Sequence, residues 1–263
     1  MKITAGLPVL LTGASSGIGH ALALELARRG CRVALVARSA DALEELAEAC
    51  RTAGGEGLAL PVDVRDEAGM AQAVATTVER FGGLRLVVAN AGLGRYAAVV
   101  DQPAEHVETT ISINYVGLTR TVRLALPHLL AAAPAHVVGV TSSAGLIPHA
   151  HGSAYCASKA ASNQYLAALR LEVKDRGVGV TMVCPGVVAT PFVDKAGLDT
   201  TAHLPRLNRL TVPLLHTDQV VRATIRGIES DRRVVTLPAM LRFYAWTMRI
   251  APGFSDWLMR RTG

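Results

Sequence analysis

Tyr155 and Lys159 stand four residues apart in the run SAYCASKAASNQY, residues 153–165. Residues at that spacing share one face of a helix, so a phenol and an ammonium project together. A free phenol, with a pKa near 10, is a poor acid or base at neutral pH. A neighbouring cation favours the phenolate, and each pKa unit is worth about 1.4 kcal/mol between protonation states. The expectation is a phenol made more acidic by its lysine. Such a group gives a proton to a carbonyl oxygen or takes one from an alcohol.

A second set of residues suits a dinucleotide. In TGASSGIG (12–19), Gly13 permits a tight turn, and Gly17 and Gly19 let backbone and helix approach a pyrophosphate. A helix N-terminus favours that anion. Ser15, Ser16 and Ile18 complete the turn as further coenzyme contacts. The spacing is G-x-x-x-G-x-G rather than G-x-G-x-x-G. An acid at the end of the second strand would bind the ribose 2′-hydroxyl of NAD. Here ALVARSAD puts Arg38 at that place, and a guanidinium pairs with a 2′-phosphate. NADP(H) is therefore favoured over NAD(H), with Ser15 and Ser39 able to add hydroxyl contacts.

These residues need a scaffold, and the apolar pattern supplies one. Short apolar runs at 8–13, 32–38, 58–64, 84–92, 135–143, 178–186 and 232–238 predict seven strands. Segments 17–29, 41–54, 66–81, 103–130, 153–176 and 217–230 predict helices between them. The strands read as continuous apolar stretches, which suits a sheet covered on both faces. The expected fold is an α/β, Rossmann-like, doubly wound parallel sheet of seven strands with helices on both faces. No repeat or linker divides residues 1–263, so one dinucleotide-binding catalytic domain is expected. Carboxyl ends of strands bind ligands in such folds, which brings the motifs to one edge.

Composition narrows the partners. Half of the 263 residues are hydrophobic, which excludes a disordered chain. The net charge is +6, but its cations are scattered, without a basic tract interleaved with aromatics, so no nucleic-acid partner is expected. Cys31, Cys50, Cys156 and Cys184 form no C-x-x-C pair, consistent with reduced thiols in the cytoplasm. Leu124–Ser158 holds no Asp, Glu, Lys or Arg. Pro127, Pro134 and Pro148 interrupt it, so it reads as helix end, buried strand and active-site loop rather than a membrane span. His149 and His151 lack a third ligand, and no metal is expected.

Taken together, the chain resembles the short-chain dehydrogenase/reductase family from about Pro8 to Thr190 and on through the last strand. The motifs follow the family's order: TGASSGIG; Asp63 and Val64 of VDV; Asn90, Ala91 and Gly92 of NAG; Asn114 of ISINYVG; the serines of VTSS; YCASK; and PGVVAT. The resemblance implies that Ser142, thirteen positions before Tyr155, binds the substrate oxygen, rather than Ser143. It implies that Lys159 also binds the nicotinamide ribose, and that Asn114 holds a water of a proton relay. Asp63 and Val64 would meet the adenine side. Asn90, Ala91, Gly92, Tyr155 and Lys159 would meet the coenzyme, with Pro185, Gly186, Val188 and Thr190 at its nicotinamide end. A homodimer or homotetramer built through 103–130 and 153–176 is implied by analogy.

The resulting expectation is an NADP(H)-dependent oxidoreductase acting on a small-molecule carbonyl or secondary alcohol, with the apolar pocket segments pointing to a lipophilic one. The rivals are a lyase or epimerase on the same scaffold, and a non-catalytic NADPH sensor. Substrate choice is expected in 93–97, 146–152 and the loop 191–216, which reads as a solvated mobile lid, with attraction of an acidic substrate by Lys195, Arg206 and Arg209 as the alternative. The apolar, basic stretch 239–263 holds Trp246 and Trp257 among Arg242, Arg249, Arg260 and Arg261. It is expected to be a C-terminal helix on the pocket or a partner subunit, and such a helix can also lie on a membrane surface.

Overall fold

Strands β1 (Pro8–Thr12) and β5 (Ala135–Val140) are buried at every residue, as their mainly apolar runs predict, with Thr12 and His136 the buried polar members. The computed structural model describes residues 1–196, 214–251 and 253. The other strands are β2 (Arg32–Ala37), β3 (Glu56–Pro61), β4 (Leu86–Ala89), β6 (Val178–Pro185) and β7 (Val234–Leu237). All neighbours pair in parallel, in the order β3-β2-β1-β4-β5-β6-β7.

Alternate side chains point to opposite layers. Leu11, Val88 and Val138 join Leu22 and Leu26 of α1 (Gly17–Arg28), Leu43 and Leu46 of α2 (Ala40–Thr52), and residues of a late helix spanning Thr217–Glu229. Leu10, Val87 and Val137 face Met70 of α3 (Glu67–Phe81) and a helix pair later in the chain. Helices thus cover both faces. A fully buried Leu in either layer contributes about 2 kcal/mol through lost water contact.

The helix expected at 103–130 is two helices, α4 (Ala104–Ile111) and α5 (Gly117–Ala131), joined by a π-helical turn at Ser112–Val116. The wider turn turns Asn114 into the interior, where its carbonyl shares the single hydrogen of Ser162 Oγ (3.1 Å) with the Ser158 carbonyl (2.8 Å), and its Nδ2 donates to Ser158 Oγ at 2.9 Å. Ser162 lies on α6 (Ser153–Val173), so the irregular turn is bonded to the helix that carries Tyr155.

Within the expected substrate loop, Pro191–Lys195 forms a short helix, α7. Arg206 and Arg209 lie outside the described residues. Thr217–Glu229 is α8, and Met240–Ile250 is α9. Trp257, Arg260 and Arg261 also lie outside the described residues. α9 lays Leu241, Tyr244 and Met248 along the cleft. Its other side exposes Phe243, Trp246 and Ile250, with Phe243 stacked on Trp246 at 5.9 Å. Among the described residues, no helix is long and apolar enough to cross a membrane.

Candidate active site

The winding direction reverses between β1 and β4, whose carboxyl ends open a crevice. A cleft of about 1320 Å³ runs along that edge from Arg38 to Tyr155.

At its first end, the backbone of Gly13 (φ +68°) and Gly17 (φ +58°) is left-handed, a conformation open to glycine at little cost. This aims the start of α1 into the cleft beside Ser15, Ser16 and Ile18. A Cβ on Gly17 would come within 3.2 Å of Thr190 Cγ2, so the β1 and β6 loops nearly touch there. Gly19 sits behind the turn and does not line the cleft. A Cβ there would strike the Gly13 carbonyl and the Asn90 amide, so its role is close packing. Asn90 Nδ2 donates to the carbonyls of Thr12 (3.0 Å) and Gly13 (3.1 Å), tying the end of β4 to the glycine turn.

Arg38 is exposed at the end of β2, and Asp63 and Val64 lie beside it. The Asp63 carboxylate is gripped by Arg65: Nη2–Oδ2 is 2.8 Å, Nε–Oδ1 3.1 Å, and the Arg65 N–H donates to Oδ1 at 2.9 Å. That hydrogen-bonded guanidinium holds the Asp63 pKa below the usual carboxylate range, with a smaller push from Arg38. Arg65 was not among the expected site residues. Its position two after Asp63, in DVR, was the available signal.

At the other end, α6 presents Tyr155 and Lys159 together. The Lys159 ammonium lies 5.8 Å from the Tyr155 ring centre and donates to the Val140 carbonyl at 3.2 Å. Both side chains are buried, at 6% and 3% exposure. The lysine does not make this phenol acidic. Burial pushes Tyr155 up to about 12, with the Ser142 hydroxyl pulling the other way. Burial likewise pushes Lys159 down to about 8. Loss of water around each charge is the largest cause of both shifts, with the opposing pulls coming from Ser142 on the phenol and Cys184 on the ammonium.

Ser142 Oγ accepts a hydrogen bond from Ala144 N at 3.1 Å, leaving its own hydrogen for another acceptor. Ser143 also borders the cleft. Asn114 does not. Its amide bonds both ways to Leu93, N–H to Oδ1 at 2.7 Å and Nδ2 to the carbonyl at 2.8 Å, and reaches Ser158 Oγ at 2.9 Å. It fixes the floor beside Ala91 and Gly92. A Cβ on Gly92 would lie 3.3 Å from Lys159 Nζ, so a side chain would narrow the space by the ammonium.

Pro185, Gly186, Val188 and Thr190 border the cleft from β6, and Gly186 N donates to the Leu237 carbonyl at 2.7 Å. Aromatic rings surround the phenol: Tyr96 at 5.7 Å and Phe192 at 5.8 Å from Tyr155, and His149 stacked on Tyr96 at 5.5 Å. His149 and His151 both border the cleft. Among the described residues no group of three His, Cys, Asp or Glu could hold a metal ion. The sequence pointed to 93–97, 146–152 and the loop 191–216, which holds Phe192, without singling out Phe192 as a neighbour of Tyr155.

The family model for short chain dehydrogenases matches residues 8–200. The chain belongs to the short-chain dehydrogenase family. It is 31% identical to 11-beta-hydroxysteroid dehydrogenase A of Sesamum indicum, over 97% of this chain and 75% of that protein. A short-chain dehydrogenase from Sphingobium yanoikuyae in complex with NADPH superposes with a TM-score of 0.79 at 30% identity, over 94% of this chain and 95% of that one. A Burkholderia phymatum short-chain dehydrogenase/reductase in complex with NAD gives 0.83 at 26% identity, over 95% and 96%. The chain is thus an NAD(P)-dependent oxidoreductase acting on small molecules. The left-handed glycines, the inward-facing α1 terminus and the close approach at Gly92 fit a nicotinamide dinucleotide along the cleft.

Proposed function

We propose that this short-chain dehydrogenase is an NADP(H)-dependent reductase of a lipophilic carbonyl compound, working also in reverse on the secondary alcohol. One observation carries the reading: Arg38, with no acid in its place, stands at one end of the cleft whose other end holds Ser142, Tyr155 and Lys159. A bound nicotinamide supplies or accepts the hydride at the carbonyl carbon. The residues do the rest. Ser142 donates a hydrogen bond to the substrate oxygen. Tyr155 gives that oxygen its phenolic proton, or takes it back in oxidation. Lys159 holds the ribose hydroxyls and puts positive charge near the developing phenolate. Asn114 sets the Leu93 backbone and steadies α6 through Ser158.

A phenol with a pKa of about 12 stays protonated at neutral pH, the form that donates to a carbonyl oxygen. Tyr96, Phe192, Ile147, Leu241, Tyr244 and Met248 give the substrate end an apolar, aromatic lining suited to a lipophilic ketone. The chain acts as one domain in the cytoplasm, as a homodimer or homotetramer through α4–α5 and α6, where Val116 and Leu171 are exposed. The outer face of α9 offers apolar side chains to a membrane surface, with Arg242 exposed beside them.

The test is coenzyme oxidation with NADPH and NADH against a panel of ketones, aldehydes and quinones. Tyr155→Phe is expected to lower turnover by about 10²-fold or more while NADPH binding, read by fluorescence titration, stays intact. Turnover unchanged in that variant contradicts the donor role. A protein that binds NADPH, turns over nothing on the panel and ignores the substitution is a sensor instead.

A further inference from the structure

The Asp63–Arg65 fork borders the coenzyme end of the cleft. β2 and β3 pair as far as Ala37–Pro61, which brings the chain just beyond each strand, Arg38 and Asp63, to the same corner of the cleft. Three charges meet there: Arg38, Asp63 and Arg65. Among the described residues, Asp63 pairs with Arg65, and Arg38 takes part in no ion pair. The Asp63 carboxyl nevertheless feels the Arg38 charge.

Consider the corner without Arg65. Asp63 would be an uncompensated carboxylate beside Arg38. It would draw the Arg38 guanidinium toward itself and repel a dianionic phosphate, both by Coulomb interaction across a partly solvated gap. With Arg65 in place, two planar groups match each other in a fork. The trio then carries a net charge of +1, and Arg38 is the unmatched cation.

We infer that Arg65 is a positioning residue for coenzyme choice: by occupying Asp63 it leaves Arg38 to a 2′-phosphate. The inference rests on the NADP(H) reading above. It adds that the preference is set by a neighbour that need not touch the phosphate. NADH, which has no 2′-phosphate, should be nearly indifferent to Arg65.

The experiment is fluorescence titration of the full chain with NADPH and with NADH, at low and high salt. Arg65 is 45% exposed, so Arg65→Gln is compatible with the fold. The variant is expected to weaken NADPH binding roughly tenfold at low salt and NADH binding less than about twofold, with the difference shrinking as salt screens the corner. Adding Asp63→Asn removes the freed carboxylate. An adenine contact is common to both coenzymes, so the readout is the ratio of NADPH to NADH affinity, which should return to within about threefold of that of the unmodified protein. Equal weakening of both coenzymes overturns the inference, because a merely local structural defect would do that. So does no change, or a double variant whose NADPH-to-NADH ratio stays as low as that of the single one. Arg38→Gln separates the two levels. If it abolishes NADPH preference while Arg65→Gln leaves it intact, the inference fails and the NADP(H) reading survives. If Arg38→Gln has no effect, both fail.

Discussion

At neutral pH the two buried groups of α6 stand in the forms that reduction needs, Tyr155 with its proton and Lys159 with its charge. Their margins differ. Tyr155 at about 12 is far from neutrality, whereas Lys159 at about 8 is close to it. The kcat/KM for carbonyl reduction is therefore expected to fall as pH rises through about 8, where the free enzyme loses the ammonium. A pH profile that stays flat well above 8 would remove Lys159 charge from the mechanism. The sequence shows why the pair meets, since i and i+4 share a helix face. It does not show the sign of the pKa shift. That sign depends on burial at 6% and 3% exposure, which spacing alone does not encode. Arg65 had one signal, its place two residues after Asp63, which would put both side chains on one face of an extended chain, but that spacing alone does not tell an ion pair from two solvated charges.

Between strands β5 and β6 a second buried titratable group shows how elements transmit chemistry to stability. His136 Nε2 lies 2.8 Å from Thr181 Oγ1, which itself donates to the Arg232 carbonyl at 2.7 Å. The hydroxyl's one proton is thus used, and the imidazole must donate from Nε2. Burial pushes the His136 pKa down to about 4, from 6.5. In that interval the unfolded chain binds a proton that the folded chain refuses. Stability therefore falls as pH drops from about 6.5 to about 4, by about 3 kcal/mol from this group. Denaturant unfolding across that range should show the slope in the unmodified protein and a flatter one in His136→Gln. Equal slopes would assign the loss elsewhere. Apolar runs made β5 and β6 legible, and the long helix at 103–130 was legible in extent. Its π-helical turn was not, because nothing in SINYV departs from helix periodicity. What holds it is the distant Ser162 hydroxyl, together with the Leu93 backbone.

Across the whole molecule, parallel order and both-face coverage followed from apolar strands alternating with helical segments. The place of α9 did not, since an amphipathic stretch shows that it has two faces but not what meets each. Here one face borders the cleft with Leu241, Tyr244 and Met248. The two ends of that cleft draw on different lengths of chain. Gly13, Arg38, Asp63 and Arg65 all precede β4, whereas Ser142, Tyr155, Phe192 and Tyr244 all follow it. Joining residues 1–92 of this chain to the later part of a relative should carry coenzyme preference with the first segment. Preference among ketones should stay with the second. Steady-state kinetics of such a hybrid checks this, and a coenzyme preference that follows the second segment would refute it.

The reversal of winding beside β1 thus has an inheritance-like result. The corner that reads the coenzyme's phosphate and the lining that meets the molecule it reduces occupy different tracts of one polypeptide, while the nicotinamide end shares the later tract. Either trait can drift without dragging the other along.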